Sequence, residues 1–173
     1  MAQELREDAV DTVVSDVHEL YPELEIEGLP ITGRVLRLAY FLVARREQRL
    51  AEFGLSVADF DVLATLRRRG RANAVNVRDL QHAMMLSSSG VTKRLDRMES
   101  ASLLERHPDP SDRRGVLVKL TAGGLQLIDE VIPAITKFES ELVRNALGSQ
   151  KERQQVEASL RRMLVAQERG DDG

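Results

Sequence analysis

Apolar residues at Leu5, Ala9, Val13, Val17 and Leu20 recur about one turn apart between charged neighbours, which predicts a helix over 4–20. Tyr21-Pro22 ends it, because the residue before proline is pushed out of the helical region. The pattern returns over 30–53 through Ile31, Val35, Leu38, Leu42 and Leu50, and Gly54 supplies the stop. Ser56-Val-Ala-Asp59 has the spacing of a capping box and opens a third helix, which runs to Arg69 and closes on Gly70. A short helix follows from Asn76 or Val77 to about Met84. Ser87 or Ser88 caps the next, to about Ser100, with Val91, Leu95 and Met98 on its inner face.

The period then shortens. Leu103–His107 and Gly115–Leu120 are strand-like, and Val116 and Val118 alternate with Leu117 and Lys119. The turn-rich Pro108-Asp-Pro-Ser-Asp-Arg-Arg114 between them predicts a two-stranded hairpin with a long basic tip. Thr121 caps a long helix over 122–147, which Pro133 should bend. Gly148 breaks it, and Ser149-Gln-Lys-Glu152 opens a last helix to about Glu168.

A helix, a short helix, a Ser-capped helix and a basic hairpin in this order predict a winged helix-turn-helix. The fold class is mainly α with a small β-hairpin wing. Ser87, Ser88, Ser89, Thr92, Lys93, Arg94 and Arg97 give the Ser-capped helix one polar, basic face, as entry into a major groove requires. Serine hydroxyls there can meet phosphates or base edges, and Lys or Arg can reach guanine O6 and N7. At the hairpin tip, Asp112 stands beside Arg113 and Arg114. An arginine there can extend into a narrow minor groove, and the nearby carboxylate can hold its guanidinium in one orientation. An ordinary amphipathic helix and a solvated turn are the plainer readings of the same residues.

Composition narrows the field. Of 173 residues, 42% are hydrophobic and 31% charged, enough apolar material for a core, but only 3% are aromatic. The core therefore rests on Leu, Val, Ile, Ala and Met. The chain has no Cys, which removes disulfides, thiolate metal ligands and cysteine nucleophiles. Its start lacks an apolar signal segment and no apolar run approaches the ~20 residues of a membrane span, so a soluble, cytoplasmic protein is expected. The net charge of −3 hides an asymmetry. Residues 60–120 hold 12 Lys and Arg against 7 Asp and Glu, an excess of +5, which leaves −8 for the rest. A basic centre between acidic flanks suits one anionic partner.

The segment from Leu86 to Leu125 resembles the core of the multiple antibiotic resistance regulator (MarR) family. The most specific part is Asp109-Pro-Ser-Asp112-Arg113-Arg114 followed by Val118-Lys-Leu-Thr121, and the likeness extends over about 30–168. It implies a homodimeric transcriptional regulator in which Ser87 to Arg97 form the recognition helix. Arg114 is then the wing-tip minor-groove residue, Asp112 its orienting partner, and the first and last helices the dimerisation region. The apolar stripes of helices 30–53, 122–147 and 150–168 exceed what one small winged domain can cover, which also points to a dimer. The extra helix at 4–20 is similar to that of a subgroup answering to urate, or to aconitate- or citrate-like acids. That resemblance implies an anion pocket of Asp61, Arg68 and Arg94. The subgroup's stacking Trp cannot exist here, so a small di- or tricarboxylate fits better than a purine. The alternatives are a structural ion pair between Asp61 and Arg68, or an Arg68 that simply belongs to the basic run Arg67–Arg71.

Enzyme chemistry finds no support. The serines lack a nearby His and a nucleophile elbow, His18, His82 and His107 do not form a ligand cluster, and Gly123-Gly124 matches no phosphate-loop pattern. No cofactor is expected. The reading is a ligand-responsive repressor on palindromic double-stranded DNA, with 1–54 and 122–173 for dimerisation and 55–121 for DNA. A small-molecule-binding helical dimer without sequence-specific DNA binding is the alternative.

Overall fold

The computed structural model describes residues 6–69, 74–84, 88–112 and 115–169. The chain divides into two compact units, Met1–Val57 and Ala58–Gly173.

The first unit is a pair of helices, α1 (Ala9–Leu20) and α2 (Leu29–Ala51). Helix α1 begins later than its apolar spacing predicts, because Asp8 takes the cap. The Asp8 carboxylate accepts from the Val10 amide at 2.7 Å, and the Asp11 carboxylate accepts from the Asp8 amide at 2.8 Å. The same two acids bind Arg34 of α2, with Arg34 Nε 2.9 Å from Asp8 Oδ2. Val10 is buried and lies so near Gly33 that a Cβ there would stand 3.0 Å from Val10 Cγ1. Helix α2 ends as expected at a left-handed glycine, Gly54 with φ +69°, and the Leu55 amide turns back to Leu50 O at 3.1 Å.

In the second unit, α3 (Val57–Arg69), α4 (Val77–Met84) and α5 (Ser88–Ser100) precede the wing, and α6 (Ala122–Ala146) and α7 (Gln150–Glu168) follow it. The wing strands are β2 (Leu104–Pro108) and β3 (Val116–Leu120), antiparallel with Arg106 opposite Val118. The expected two-stranded hairpin gains a third strand, β1 (Val75–Asn76), on the far edge of β3, giving the order β1-β3-β2. A two-residue strand has no period to read in a sequence. The buried residues include Val62, Leu63 and Leu66 of α3, Leu80 of α4, Val91, Leu95 and Met98 of α5, Leu104 and Val118 of the wing, and Ile128, Val131 and Ile135 of α6.

Helix α6 is fixed to the wing at its first turn. The Thr121 hydroxyl accepts from the Gly124 amide at 3.0 Å and donates to Ser102 O at 2.6 Å. A Cβ on Gly124 would sit 1.9 Å from Leu103 O, so only glycine allows this approach. Pro133 lies inside α6. Ser149 caps α7 by accepting from the Glu152 amide at 3.1 Å, and no residue of α7 is buried. Among the described residues, no helix is long and apolar enough to cross a membrane.

Candidate nucleic-acid interface

Helix α5 has two sides. Val91, Leu95 and Met98 are buried, as their spacing predicts, while Thr92, Lys93 and Arg97 are exposed and Arg94 is half-buried. Ser88 and Ser89 stand in the first turn; Ser87 lies outside the described residues. Two arginine contacts fix the flanks of the helix. Arg97 Nη2 pairs with Asp59 Oδ1 in the first turn of α3. On the other flank Arg106 of β2 reaches back to α5. Its Nη1 lies 2.7 Å from Asp96 Oδ1 and donates to Glu99 Oε2 at 2.8 Å, and its Nη2 donates to the Thr92 carbonyl at 3.3 Å. The Arg106 amide also donates to Glu99 Oε1 at 3.2 Å. Arg106 thus ties the wing to α5.

The turn of the wing is built around Asp109. Its Oδ1 accepts from the Ser111 hydroxyl at 2.6 Å and the Ser111 amide at 2.9 Å, and its Oδ2 accepts from Asn76 Nδ2 at 3.0 Å. These donors hold the Asp109 carboxyl below its ordinary range, the Ser111 hydroxyl first, against a smaller opposing effect of desolvation. The Asp109 amide donates to Gly115 O at 3.1 Å and the Gly115 amide to Asp112 O at 2.8 Å, closing the loop. A Cβ on Gly115 would lie 2.8 Å from Asp109 Cβ. Asp112 Oδ2 accepts from Arg78 Nη1 of α4 at 3.4 Å. Its expected partner Arg114, and Arg113, lie outside the described residues. Below the tip, Glu105 is held under its usual range chiefly by its hydrogen bond with His107, 3.1 Å away. An open cleft of about 340 Å³ lies between α4, α5 and the wing, lined by Arg78, Gln81, Thr92, Asp96 and Arg106 among others.

Among the described residues, the expected anion-binding residues form no ion pairs with each other. Asp61 and Arg68 share one face of α3 two turns apart, about 10 Å along the axis. Asp61 is half-buried; Arg68 is exposed and donates to Thr65 Oγ1 at 3.0 Å. The Nη1 of Arg94 is buried and, among the described residues, has no hydrogen-bond partner. Arg67, next to Arg68 in the basic run of α3, is engaged elsewhere: it grips Asp129 of α6 with two bonds of 2.6 and 3.1 Å. Among the described residues, no group of three His, Cys, Asp or Glu side chains could hold a metal.

Sequence reading missed four anchoring contacts: Asp59–Arg97, Arg106 with α5, Asn76–Asp109 and Arg78–Asp112. Asp59 was legible only as a helix cap; three of these pairs join residues 33 to 38 apart, which leaves no local pattern, and the Arg106 contacts cross from strand to helix.

A helix pair ending in an exposed polar helix, braced by a basic three-stranded wing, defines a winged helix-turn-helix DNA-binding protein. The chain belongs to the MarR family, whose model matches residues 55–116. It is 33% identical over 134 residues to the HTH-type transcriptional regulator PecS of Dickeya dadantii, covering 78% of this chain and 81% of PecS. Among solved structures, BpsR of Bordetella bronchiseptica, whose DNA binding is regulated by 6-hydroxynicotinic acid, is 32% identical with a TM-score of 0.64, covering 76% of this chain and 97% of that one. A MarR variant from E. coli complexed with operator DNA is 25% identical with a TM-score of 0.64, covering 86% of this chain and 97% of that one. The family is one of transcriptional regulators, not of enzymes.

Proposed function

We propose that the protein is a ligand-responsive repressor that binds a palindromic operator as a homodimer and is released by a small di- or tricarboxylate. The observation that carries this reading is α5 itself: Thr92, Lys93 and Arg97 are exposed on a helix whose opposite face is buried. In this reading Lys93 and Arg113 meet phosphates, Arg94, Arg97 and Ser87 to Ser89 contribute to base contacts, and Arg114, oriented by Asp112, reads minor-groove width. The relatives support DNA as the partner, and BpsR supports control by a small carboxylic acid. Residues 55–121 read DNA; residues 1–54 and 122–173 form the dimer.

Exposed apolar side chains support that dimer. In this single chain Leu36 and Tyr40 of α2 are each 72% exposed and Leu164 of α7 is 59% exposed. A two-fold dimer places its recognition helices one DNA turn apart, ~34 Å. Arg94 supports the anion: a buried guanidinium nitrogen that, among the described residues, has no hydrogen-bond partner is a donor waiting for an acceptor. A carboxylate bound by Arg68 and Arg94 would repel Asp61 and displace α5.

Selection of duplexes from a random library tests the reading. Enrichment of inverted repeats with half-sites about ten base pairs apart is expected. Enrichment of nothing would favour the alternative, a small-molecule-binding dimer without sequence-specific DNA binding. Citrate and aconitate should raise the melting temperature and urate should not; no shift with either acid removes the Asp61, Arg68 and Arg94 pocket.

A further inference from the structure

Asp59 is an acid where a DNA-binding surface gains nothing from added negative charge. It is only 6% exposed, stands in the first turn of α3, and has its carboxylate on the guanidinium of Arg97, whose side chain is 63% exposed. Arginine carries five N–H donors in a rigid fork. With Nη2 turned to Asp59, the Arg97 side chain remains largely exposed, one turn beyond exposed Lys93. Asp96, on the other flank of α5, is held by Arg106.

We propose that Asp59 is a positioning residue for DNA recognition, holding the Arg97 fork in the orientation from which it reads a base edge. This rests on the DNA-reading function proposed above. The physical argument separates two kinds of contact. A phosphate accepts a cation from many directions, so a mobile arginine serves it well. A guanine presents O6 and N7 side by side, and a bidentate contact needs the fork in one plane. An unheld arginine must lose its rotamer freedom on binding; one braced by a carboxylate has lost it beforehand. The buried negative charge also weakens sequence-independent attraction to the backbone. Asp59 therefore raises the ratio of specific to non-specific affinity rather than affinity as a whole.

The test uses the full chain and the highest-affinity duplex selected by the wild type, with a scrambled duplex beside it. Asp59→Asn is expected to weaken the selected duplex by ~10-fold while the scrambled duplex is unchanged or tighter. In an Arg97→Ala background the same change should leave the affinity ratio where it was. Arg97→Lys keeps the charge and loses the fork, so its ratio should fall as far, with a melting temperature near that of the wild type; it carries the test if Asp59→Asn does not fold. Equal weakening of both duplexes, a ratio that Asp59→Asn still lowers without Arg97, or a wild-type ratio in Arg97→Lys overturns the proposal. A wild type that does not discriminate at all overturns the DNA-reading function and this proposal with it.

Discussion

Arg106 lies in β2 of the wing, yet its guanidinium belongs to α5: Nη1 is 2.7 Å from Asp96 Oδ1 and 2.8 Å from Glu99 Oε2. Asp96 and Glu99 are three residues apart and so present their carboxylates side by side on α5. One cation thereby couples the two parts expected to enter adjacent grooves.

Replacing Arg106 with Ala should loosen both. The side chain is 24% exposed, so the lost bonds are worth about 1–2 kcal/mol. That corresponds to roughly 2–8 °C in melting temperature for a chain of this size. Affinity for the operator should fall together with stability, read by anisotropy and thermal melting on the same sample.

Gly124 carries the packing of α6 onto the chain before β2. Its missing Cβ would lie 1.9 Å from Leu103 O, closer than any contact allows. Gly124→Ala should cost about 3 kcal/mol or more, because backbone rather than a flexible side chain must move. A denaturant midpoint that falls with an unchanged slope is the expected record.

The attachment of α1 to α2 depends on pH in a defined direction. Asp8 is lowered below 3.8 first by the Val10 amide, then by Arg34; Asp11 is lowered first by the Asp8 amide, then by Arg34. Carboxylates with folded values below 3.8 contribute stability that is fully present above 3.8 and is lost as the pH falls through the lower folded values. Amide exchange of α1 should be slow at pH 6 and speed up, beyond its intrinsic pH dependence, below about pH 4. Asp8→Asn with Asp11→Asn should remove most of that change.

The long helices were legible because burial leaves a period: Val91, Leu95 and Met98 are spaced to face one way and do so. Helix starts were less legible. Leu5 continues the apolar spacing of α1, yet Asp8 sets the start by capping the amides that follow. Strand β1 escaped because Val75 and Asn76 acquire their conformation by pairing with Val118 and Leu117, over forty residues on. The polar face of α5 was visible, but not which cations on it are already engaged. Arg97 and Arg94 both read as basic residues on one helix; only the fold gives one a buried carboxylate and the other a buried nitrogen without a hydrogen-bond partner among the described residues. Likewise Arg67 and Arg68 are adjacent in a basic run, and only Arg67 meets Asp129, 62 residues away.

Arg114→Ala should weaken operator binding by ~10-fold or more while leaving the dimer intact, since its proposed role is in the minor groove and not at the proposed dimer surfaces. Sedimentation and anisotropy on the variant check the two halves of that expectation. A variant that binds the operator as tightly as the wild type removes the wing tip from the mechanism.

The central claim is that this basic surface reads sequence. Its most direct test is fluorescence anisotropy of the wild type with a palindromic duplex and a scrambled one across a salt series. The account predicts that the palindrome binds more tightly by a factor of ~10³ or more at near-physiological salt, with both affinities falling as salt rises. Equal, weak binding of both duplexes with the same steep salt slope would contradict it, leaving α5 and the wing as a cationic surface without sequence preference.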